Sequence, residues 1–380
     1  PIEDQQIGWK NKCGKGNAED TVTSGIEGAW TPEPTRWTHE YLTNLYKYDW
    51  TLTKGPGGKF QWFAKDLEAS DFAPNAHKPE RAPIMMLTTD LALRFDPQYN
   101  AISTRYLNNP REFEEAFAAA WFKLIHRDLG PKSRYLGKDF PKRDFLWQDP
   151  VLANDHGTLS SSEVKALKAE IRKSKLSTSD LVKTAWAGAV TYRGTDMKGG
   201  LNGARLRLAP QSEWEVNEPE ALKERLSVLQ GIQERFNRGA GKRGHQVSLA
   251  DLIVIGGNVG VEDAAKRAGY PTEIAFTPGR TDASQEQTDV KSFEFLKVAS
   301  DGFRNFYRRE GNYLAPAEAF IDRADLLTLN VPEMTVLTGG LRVLGANYGD
   351  SPNGVFTKNV GSLSNDFFTN LMDTKTVWSL

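Results

Sequence analysis

Several stretches of this chain repeat apolar side chains every three or four residues, which is the spacing of one face of an α-helix. The two clearest stripes are Phe113, Phe117, Trp121 and Leu124, and Leu222, Leu226, Leu229, Ile232 and Phe236. The alternation with a period of two that marks a half-buried strand is weak throughout. The sequence therefore predicts a mainly α protein.

Helix-starting signals precede many of these stripes. Asn109 stands before a proline at the first helical position, and Gly130-Pro131 should end that helix after Leu129. Ser160 and Ser177 each precede an acidic residue by three positions, the spacing of a capping box. Further starts are predicted at Ser248 and at Pro332-Glu333, the second of which opens the last clear helix, ending near Gly345. Residues 1–100 are instead broken by glycines and prolines, which predicts ordered but irregular structure.

Charge and cysteine content exclude several classes of protein. Lys and Arg total 48 against 49 Asp and Glu, so the basic surface of a dedicated nucleic-acid binder is not expected. A single cysteine, Cys13, excludes an intrachain disulfide framework. No apolar run approaches the roughly 18 residues of a membrane span, and the five histidines lack metal-ligand spacing. We expect a cytoplasmic protein without a membrane or nucleic-acid partner, and no metal ligand within this chain.

A second signal is an internal repeat. The pattern that starts at Trp30-Thr31 and includes Tyr41-Leu42-Thr43-Asn44-Leu45 recurs at Phe356-Thr357 and Phe367-Phe368-Thr369-Asn370-Leu371. Repetition of apolar and Thr/Asn positions over about twenty residues predicts duplicated domains. Neither end looks like a natural terminus, so we expect the end of one copy and most of a second.

Six longer runs resemble the bifunctional catalase-peroxidases from one end of the chain to the other. They are residues 8–10 (GWK), 23–31 (TSGIEGAWT), 86–94 (MLTTDLALR), 121–131 (WFKLIHRDLGP), 276–290 (FTPGRTDASQEQTDV) and 301–305 (DGFRN). The resemblance implies tandem haem-peroxidase-like helical domains, of which the amino-terminal copy binds haem b. It places the iron-ligating histidine and the covalent Met-Tyr-Trp cofactor outside this chain. It also implies hydrogen peroxide and small organic donors as substrates, a role in oxidative stress, and a homodimer.

The resemblance assigns a proximal pair to Asp90 and Trp30. A carboxylate that accepts a hydrogen bond from an iron-ligating imidazole makes that ligand more electron-rich. Asp90 matches this carboxylate, and Trp30 matches the tryptophan that packs beside the imidazole and hydrogen-bonds to the aspartate. Without the resemblance, Asp90 would be the N-cap of a helix starting at Leu91, and Trp30 an ordinary core tryptophan.

Three further positions match residues around the haem, and one matches a mobile arginine. Thr23 and Ser24 correspond to the haem edge, and Leu87 to an apolar haem contact. The alternatives are a turn before Gly25 and a plain core leucine. Arg127 matches the arginine that approaches the ionised tyrosine of the covalent cofactor, because a guanidinium always carries the charge that stabilises a phenolate. The alternative is a surface arginine paired with Asp128.

The second copy carries substitutions at the haem positions. Residues 183–193 (KTAWAGAVTYR) resemble a distal helix in which Lys183 replaces the arginine and Ala187 the histidine. Residues 333–341 (EMTVLTGGL) resemble a proximal helix with Leu341 in the place of the iron ligand. Alanine cannot move protons, and leucine cannot ligate iron. This half is predicted to be haem-free.

The predicted organisation is therefore the proximal part of a catalytic domain at residues 1–141, a linker at 142–158 and an incomplete haem-free domain at 159–380. The expected function is that of part of a catalase-peroxidase. The rival is a non-catalytic structural fragment, which applies if the amino-terminal half is absent. This chain alone is predicted to be inactive, and its partner is that missing segment.

Overall fold

The computed structural model describes residues 28–54, 59–74, 79–239 and 244–379. The contacts divide the chain into two compact units, Pro1–Leu124 and Ile125–Leu380. This division falls at different positions from the predicted linker at 142–158, which stays a prediction. None of the described helices combines the length and the apolar character needed to cross a bilayer.

Helices dominate both units, which confirms the prediction of a mainly α fold. In the described residues they are α1 (Glu40–Lys47), α2 (Thr88–Phe95), α3 (Pro97–Asn108), α4 (Pro110–His126), α5 (Ser161–Arg172), α6 (Thr178–Ala189), α7 (Pro219–Arg238), α8 (Leu249–Arg267), α9 (Val290–Glu294), α10 (Pro316–Leu326), α11 (Val331–Val343) and α12 (Asp366–Leu371). The strands are β1 (Trp50–Lys54), β2 (Phe60–Ala64), β3 (Met85–Met86), β4 (Ser300–Asp301) and β5 (Phe306–Tyr307).

The first unit contains more regular structure than the sequence predicts. β1, β2 and β3 form an antiparallel sheet in that order, with Trp50 opposite Ala64 and Trp62 opposite Met86. The prediction of irregular structure is therefore wrong over these strands. The sequence of β1 does alternate apolar and polar residues from Trp50 to Thr53, but a run of four residues beside the glycines that begin at Gly55 is a weak signal. Between the sheet and α1 and α2 lies a core centred on Leu45, Met86 and Leu91.

α4 begins at Pro110, as predicted, but ends at His126 rather than at Leu129. None of its described residues is buried within this chain. Its aromatic stripe packs partly on Trp37, whose ring lies 4.7 Å from that of Phe117 and 5.5 Å from that of Phe113. The helical spacing was thus a correct guide to secondary structure but not to burial.

In the second unit the predicted helix starts are confirmed. Ser160, Ser177 and Ser248 each accept a hydrogen bond from the backbone amide three residues later. The stripe on α7 is buried at Leu222, Leu226, Leu229 and Ile232. Glycines on α8 allow α6 to approach closely, since a Cβ on Gly257 would lie only 2.6 Å from that of Ala185. The main core of this unit forms where α5, α6, α7 and α8 meet.

Candidate functional site

Asp90 lies in the first turn of α2. This helix starts at Thr88 with Leu87 as its N-cap, so Asp90 is the third helical residue and not the cap itself. Its Oδ2 accepts a hydrogen bond from the Leu87 amide at 2.7 Å, the half of a capping box that reaches back to the N-cap. The alternative of an N-cap aspartate is therefore wrong in position, although the side chain does stabilise the helix start.

The same carboxylate receives two side-chain donors from distant parts of the chain. Trp30 Nε1 donates to Asp90 Oδ2 at 2.7 Å, and Tyr41 OH donates to Asp90 Oδ1 at 2.7 Å. The Trp30 bond is the one that the resemblance implies. Tyr41 was missed by sequence reasoning. We call Asp90, Trp30 and Tyr41 the carboxylate cluster.

Local structure explains how the cluster is assembled. Met85 N donates to Ala29 O at 2.9 Å, which ties the segment before Trp30 to the edge of β3. Gly28 has a φ of +138°, and a Cβ there would lie 2.8 Å from Met85 Cγ, so glycine permits this close approach. Tyr41 projects from α1, whose Leu42 and Leu45 are buried. Three separate segments thus converge on one side chain.

The electrostatics of the cluster keep Tyr41 protonated. Burial raises the pKa of the Tyr41 hydroxyl far above its ordinary value, and the hydrogen bond to Asp90 and the charge of Asp90 raise it further. The neutral phenol is therefore a permanent donor at physiological pH. A carboxylate has about four lone-pair positions, and Leu87, Trp30 and Tyr41 occupy three of them. One position remains for a further donor.

The other predicted haem contacts have different outcomes. Leu87 is partly buried beside the cluster and caps α2. Thr23 and Ser24 lie outside the described residues. Arg127 belongs to the second unit, immediately after α4, and its side chain is exposed. Within the described part of the chain it forms no ion pair, so the alternative of an Arg127–Asp128 pair is not observed.

In the second unit, the positions that resemble a haem pocket are occupied by the protein's own side chains. Leu341 is 3% exposed and packs with Val182, Phe303 and Leu344 in an apolar core. Ala187 and Lys183 line a residual cavity of about 10 Å³, which is roughly the space of one water molecule. Lys183 Nζ lies 2.6 Å from Asp350 Oδ1 and 3.4 Å from Glu218 Oε1. This ion pairing gives the buried lysine a structural role.

The repeated pattern has a structural counterpart. α1 and α12 start at Glu40 and Asp366, the same 326-residue offset that separates Trp30 from Phe356. In the second copy Phe356 and Phe367 replace Trp30 and Tyr41, and their rings stack 5.1 Å apart. Neither ring can donate a hydrogen bond. The second copy therefore retains aromatic packing at these two positions but lacks both side-chain donors of the carboxylate cluster.

Sequence reasoning also missed a buried triad in the second unit. Trp186 Nε1 donates to Asp301 Oδ2 at 3.0 Å, and Arg304 Nε donates to the same oxygen at 2.6 Å. The only sequence signal was the position of both acid and arginine in the run 301–305. In the residues that the structure describes, no group of three His, Cys, Asp or Glu side chains could hold a metal ion.

Comparisons with known proteins show what this chain is similar to. The family model described as "Peroxidase" matches residues 118–379. A protein named "Catalase-peroxidase" from Saccharophagus degradans is 58% identical over 379 residues, which are 99% of this chain and 51% of that protein. Proteins of the same name from Yersinia pestis and Yersinia pseudotuberculosis are 55% identical over all of this chain and 51% of their own length. The chain thus spans about half the length of the curated relatives it matches.

The raised pKa of Tyr41 predicts a pH-dependent stability. Above the ordinary tyrosine pKa of about 10, Tyr41 loses its proton in the unfolded chain but keeps it in the folded one. Because the folded state then binds more protons than the unfolded chain, the free energy of unfolding falls as the pH rises above about 10, by at most about 1.4 kcal/mol per pH unit. Below about pH 10 the protonated Tyr41 makes its full contribution to stability. Tyr41→Phe should remove this part of the slope in urea unfolding measured over a range of alkaline pH. Tyr99→Phe, an exposed tyrosine, is the control. Equal slopes for both variants would contradict the assignment.

Proposed function

This chain belongs to the peroxidase family, and from that premise we propose that it is part of a haem-dependent catalase-peroxidase. The proposed reactions are the conversion of two hydrogen peroxide molecules to O₂ and two of water, and the oxidation of small organic donors by peroxide. The relatives' name supports both activities. We refer to a protein of the relatives' full length that includes this chain as the longer protein.

The observation that carries the proposal is the carboxylate cluster. The lone-pair position left on Asp90 suits an imidazole N–H, which is the donor that an iron-ligating histidine would present. Haem, when bound, supplies the redox chemistry of peroxide cleavage. Asp90 would orient the imidazole and increase its electron donation, and Trp30 and Leu87 would pack beside the group. The histidine itself is proposed to lie outside this chain, as are the residues of the Met-Tyr-Trp cofactor.

Tyr41 and the Leu87 amide have a supporting role in this scheme. They satisfy the carboxylate from the side of α1 and α2, which fixes its orientation without competing for the remaining position. Because Tyr41 stays neutral, it adds a hydrogen bond and no charge. The Asp90 carboxylate is thus oriented by neutral donors and keeps one lone-pair position for an imidazole N–H.

Arg127 is proposed as the mobile arginine of the catalase reaction. Its side chain is exposed and lies just beyond the end of α4, and helix ends fray. It also lacks an ion-pair partner among the described residues. Such a guanidinium can approach a phenolate in one conformation and leave it in another.

Residues 159–380 are proposed to be a haem-free support for the catalytic domain. Buried Leu341, the small cavity beside Ala187 and the stacked Phe356 and Phe367 support this role. A homodimer, small organic donors, a role in oxidative stress and a cytoplasmic location complete the proposal and rest on the resemblance. The second candidate function, a non-catalytic structural fragment, is favoured by Leu341 at the position of an iron ligand.

Hemin titration discriminates between the two functions. This chain by itself should give no stoichiometric spectrum of a five-coordinate, histidine-ligated haem, because Leu341 cannot ligate iron and the catalytic ligand is proposed to lie elsewhere. The longer protein, purified in parallel as the control, should show a Soret band with one haem per chain. A stoichiometric histidine-ligated haem in this chain alone would contradict the haem-free assignment, and absence of haem from the longer protein would contradict the enzyme.

The role of Asp90 can be tested by Asp90→Asn in the longer protein. An amide accepts the imidazole proton less strongly than a carboxylate, so the iron reduction potential should rise and turnover should fall by about 10–100-fold. Spectroelectrochemistry and peroxidase assays measure the two effects. Asp96→Asn is a matched control, because Asp96, like Asp90, accepts hydrogen bonds from backbone amides at a helix start, here two amides of α3. An unchanged potential in Asp90→Asn would leave Asp90 only its role in stabilising α2.

Arg127→Ala should separate the two activities. Loss of a charge-assisted hydrogen bond to a phenolate costs about 1.5–3 kcal/mol, so catalase activity of the longer protein should fall about 10–100-fold. Peroxidase activity should change little, and Arg127→Lys should retain part of the catalase activity. Lys123→Ala, an exposed cation on α4, is the control. Parallel loss of both activities, or loss of neither, would contradict the mobile-arginine role.

A further inference from the structure

The second unit contains a cavity of whose lining the proposed function uses only Arg127. Its volume is about 340 Å³, within the range of about 300–1,000 Å³ of small-molecule sites. Five cationic side chains and one carboxylate lie in its wall, and they are Arg127, Arg134, Lys198, Arg205, Arg280 and Asp149. The lining is therefore strongly positive in a chain whose net charge is −1.

Internal ion pairs do not neutralise this charge. Arg280 Nη1 lies 3.0 Å from Asp251 Oδ1, and Lys198 Nζ lies 4.0 Å from Asp149 Oδ2. Among the described residues, Arg127, Arg134 and Arg205 have no carboxylate within 4.0 Å. Three guanidinium groups around one cavity thus form no ion pair, although the charge of Asp149 acts on Arg205 from a greater distance.

Two buried atoms of the wall also lack hydrogen-bond partners. Arg205 is 4% exposed, and its Nη2 is fixed by the carbonyls of Pro150 and Gln287 at 2.7 and 3.0 Å, but its Nε has no acceptor. Asp149 Oδ1 has no donor. Burial is the main cause that lowers the pKa of Arg205 and raises that of Asp149. Buried polar atoms without a partner are rare in folded proteins and need an explanation. A ligand that supplies an acceptor to Arg205 Nε and a donor to Asp149 Oδ1 would provide it.

Backbone contacts fix one part of the cavity wall, the loop that carries Lys198. Gly200 N donates to Thr191 Oγ1 at 2.9 Å, and Arg193 N donates to Lys198 O at 2.9 Å. Gly199 has a φ of +78°, and a Cβ there would lie 2.1 Å from Thr191 O. These contacts fasten the loop behind Lys198 to the segment that follows α6, so Lys198 is positioned before any ligand arrives.

We propose that this cavity binds a small oxyanion that also carries a hydroxyl or amino group. The oxyanion, a carboxylate or a phosphate, pairs with the unneutralised arginines, for which planar guanidinium groups are well suited. The hydroxyl or amino group donates to Asp149 Oδ1. The size of the cavity limits the ligand to a small metabolite.

Calorimetry with four probes tests the proposal on this chain and on the longer protein. Glycolate should bind more tightly than acetate, and glycerol phosphate more tightly than inorganic phosphate, because only the first of each pair has an alcohol O–H that can donate to Asp149 Oδ1 while its oxyanion contacts the arginines. The two pairs distinguish a carboxylate ligand from a phosphate ligand. Binding should weaken as ionic strength rises. Equal affinity within both pairs would overturn the role of Asp149.

Variants complete the test. Arg134→Gln should weaken binding of the better probe by about tenfold, as expected for loss of one charge-assisted hydrogen bond, and Arg134→Glu should abolish it. Arg134 is exposed, so both variants should fold, which circular dichroism checks. Arg238→Gln, an exposed arginine away from the cavity, is the control. Absence of binding by every probe, or equal weakening by Arg134→Gln and Arg238→Gln, would overturn the proposed site.

Discussion

The first unit depends on the hydrogen bonds that the Asp90 carboxylate accepts. A partly buried carboxylate is costly unless donors surround it, and here three come from separate segments: Trp30, Tyr41 and the Leu87 amide. Loss of one donor would leave the others oriented toward an incompletely satisfied charge. The hydrogen bonds to this one carboxylate therefore determine where α2 starts, which side of α1 is turned toward Asp90, and where the segment that contains Trp30 lies.

The second unit meets the same requirement with a different set of partners. Lys183 and Asp301 are buried charges, and each is paired with a group from a distant segment. Such pairs contribute less to net stability than apolar side chains of similar volume often would, but removal of one partner is strongly destabilising. At the remaining haem-like positions, apolar packing by Leu341 and by the stacked Phe356 and Phe367 replaces polar chemistry.

Local signals in the sequence determined what could be predicted. The caps at Ser160, Ser177 and Ser248 were predictable because an N-cap depends on residues only three positions apart. β1 was not predicted, because its apolar and polar residues alternate over only four positions beside a glycine-rich stretch. Trp30 and Asp90 were paired only through resemblance, since no spacing rule relates residues 60 positions apart. Tyr41 was missed for the same reason, although its replacement by Phe367 in the repeat shows where a hydroxyl distinguishes the two copies.

The long sequence separations within the carboxylate cluster have a consequence for folding. The Trp30 and Tyr41 bonds to Asp90 span 60 and 49 residues, and closing such loops costs chain entropy before the contacts repay it. The cluster must therefore form after α1 and α2, whose contacts are local. A chain that stops folding before this step would contain α1 and α2, but its Asp90 side chain would not be held in one orientation. Formation of the cluster is thus a late folding step, and it distinguishes a fully folded first unit from one that contains only its helices.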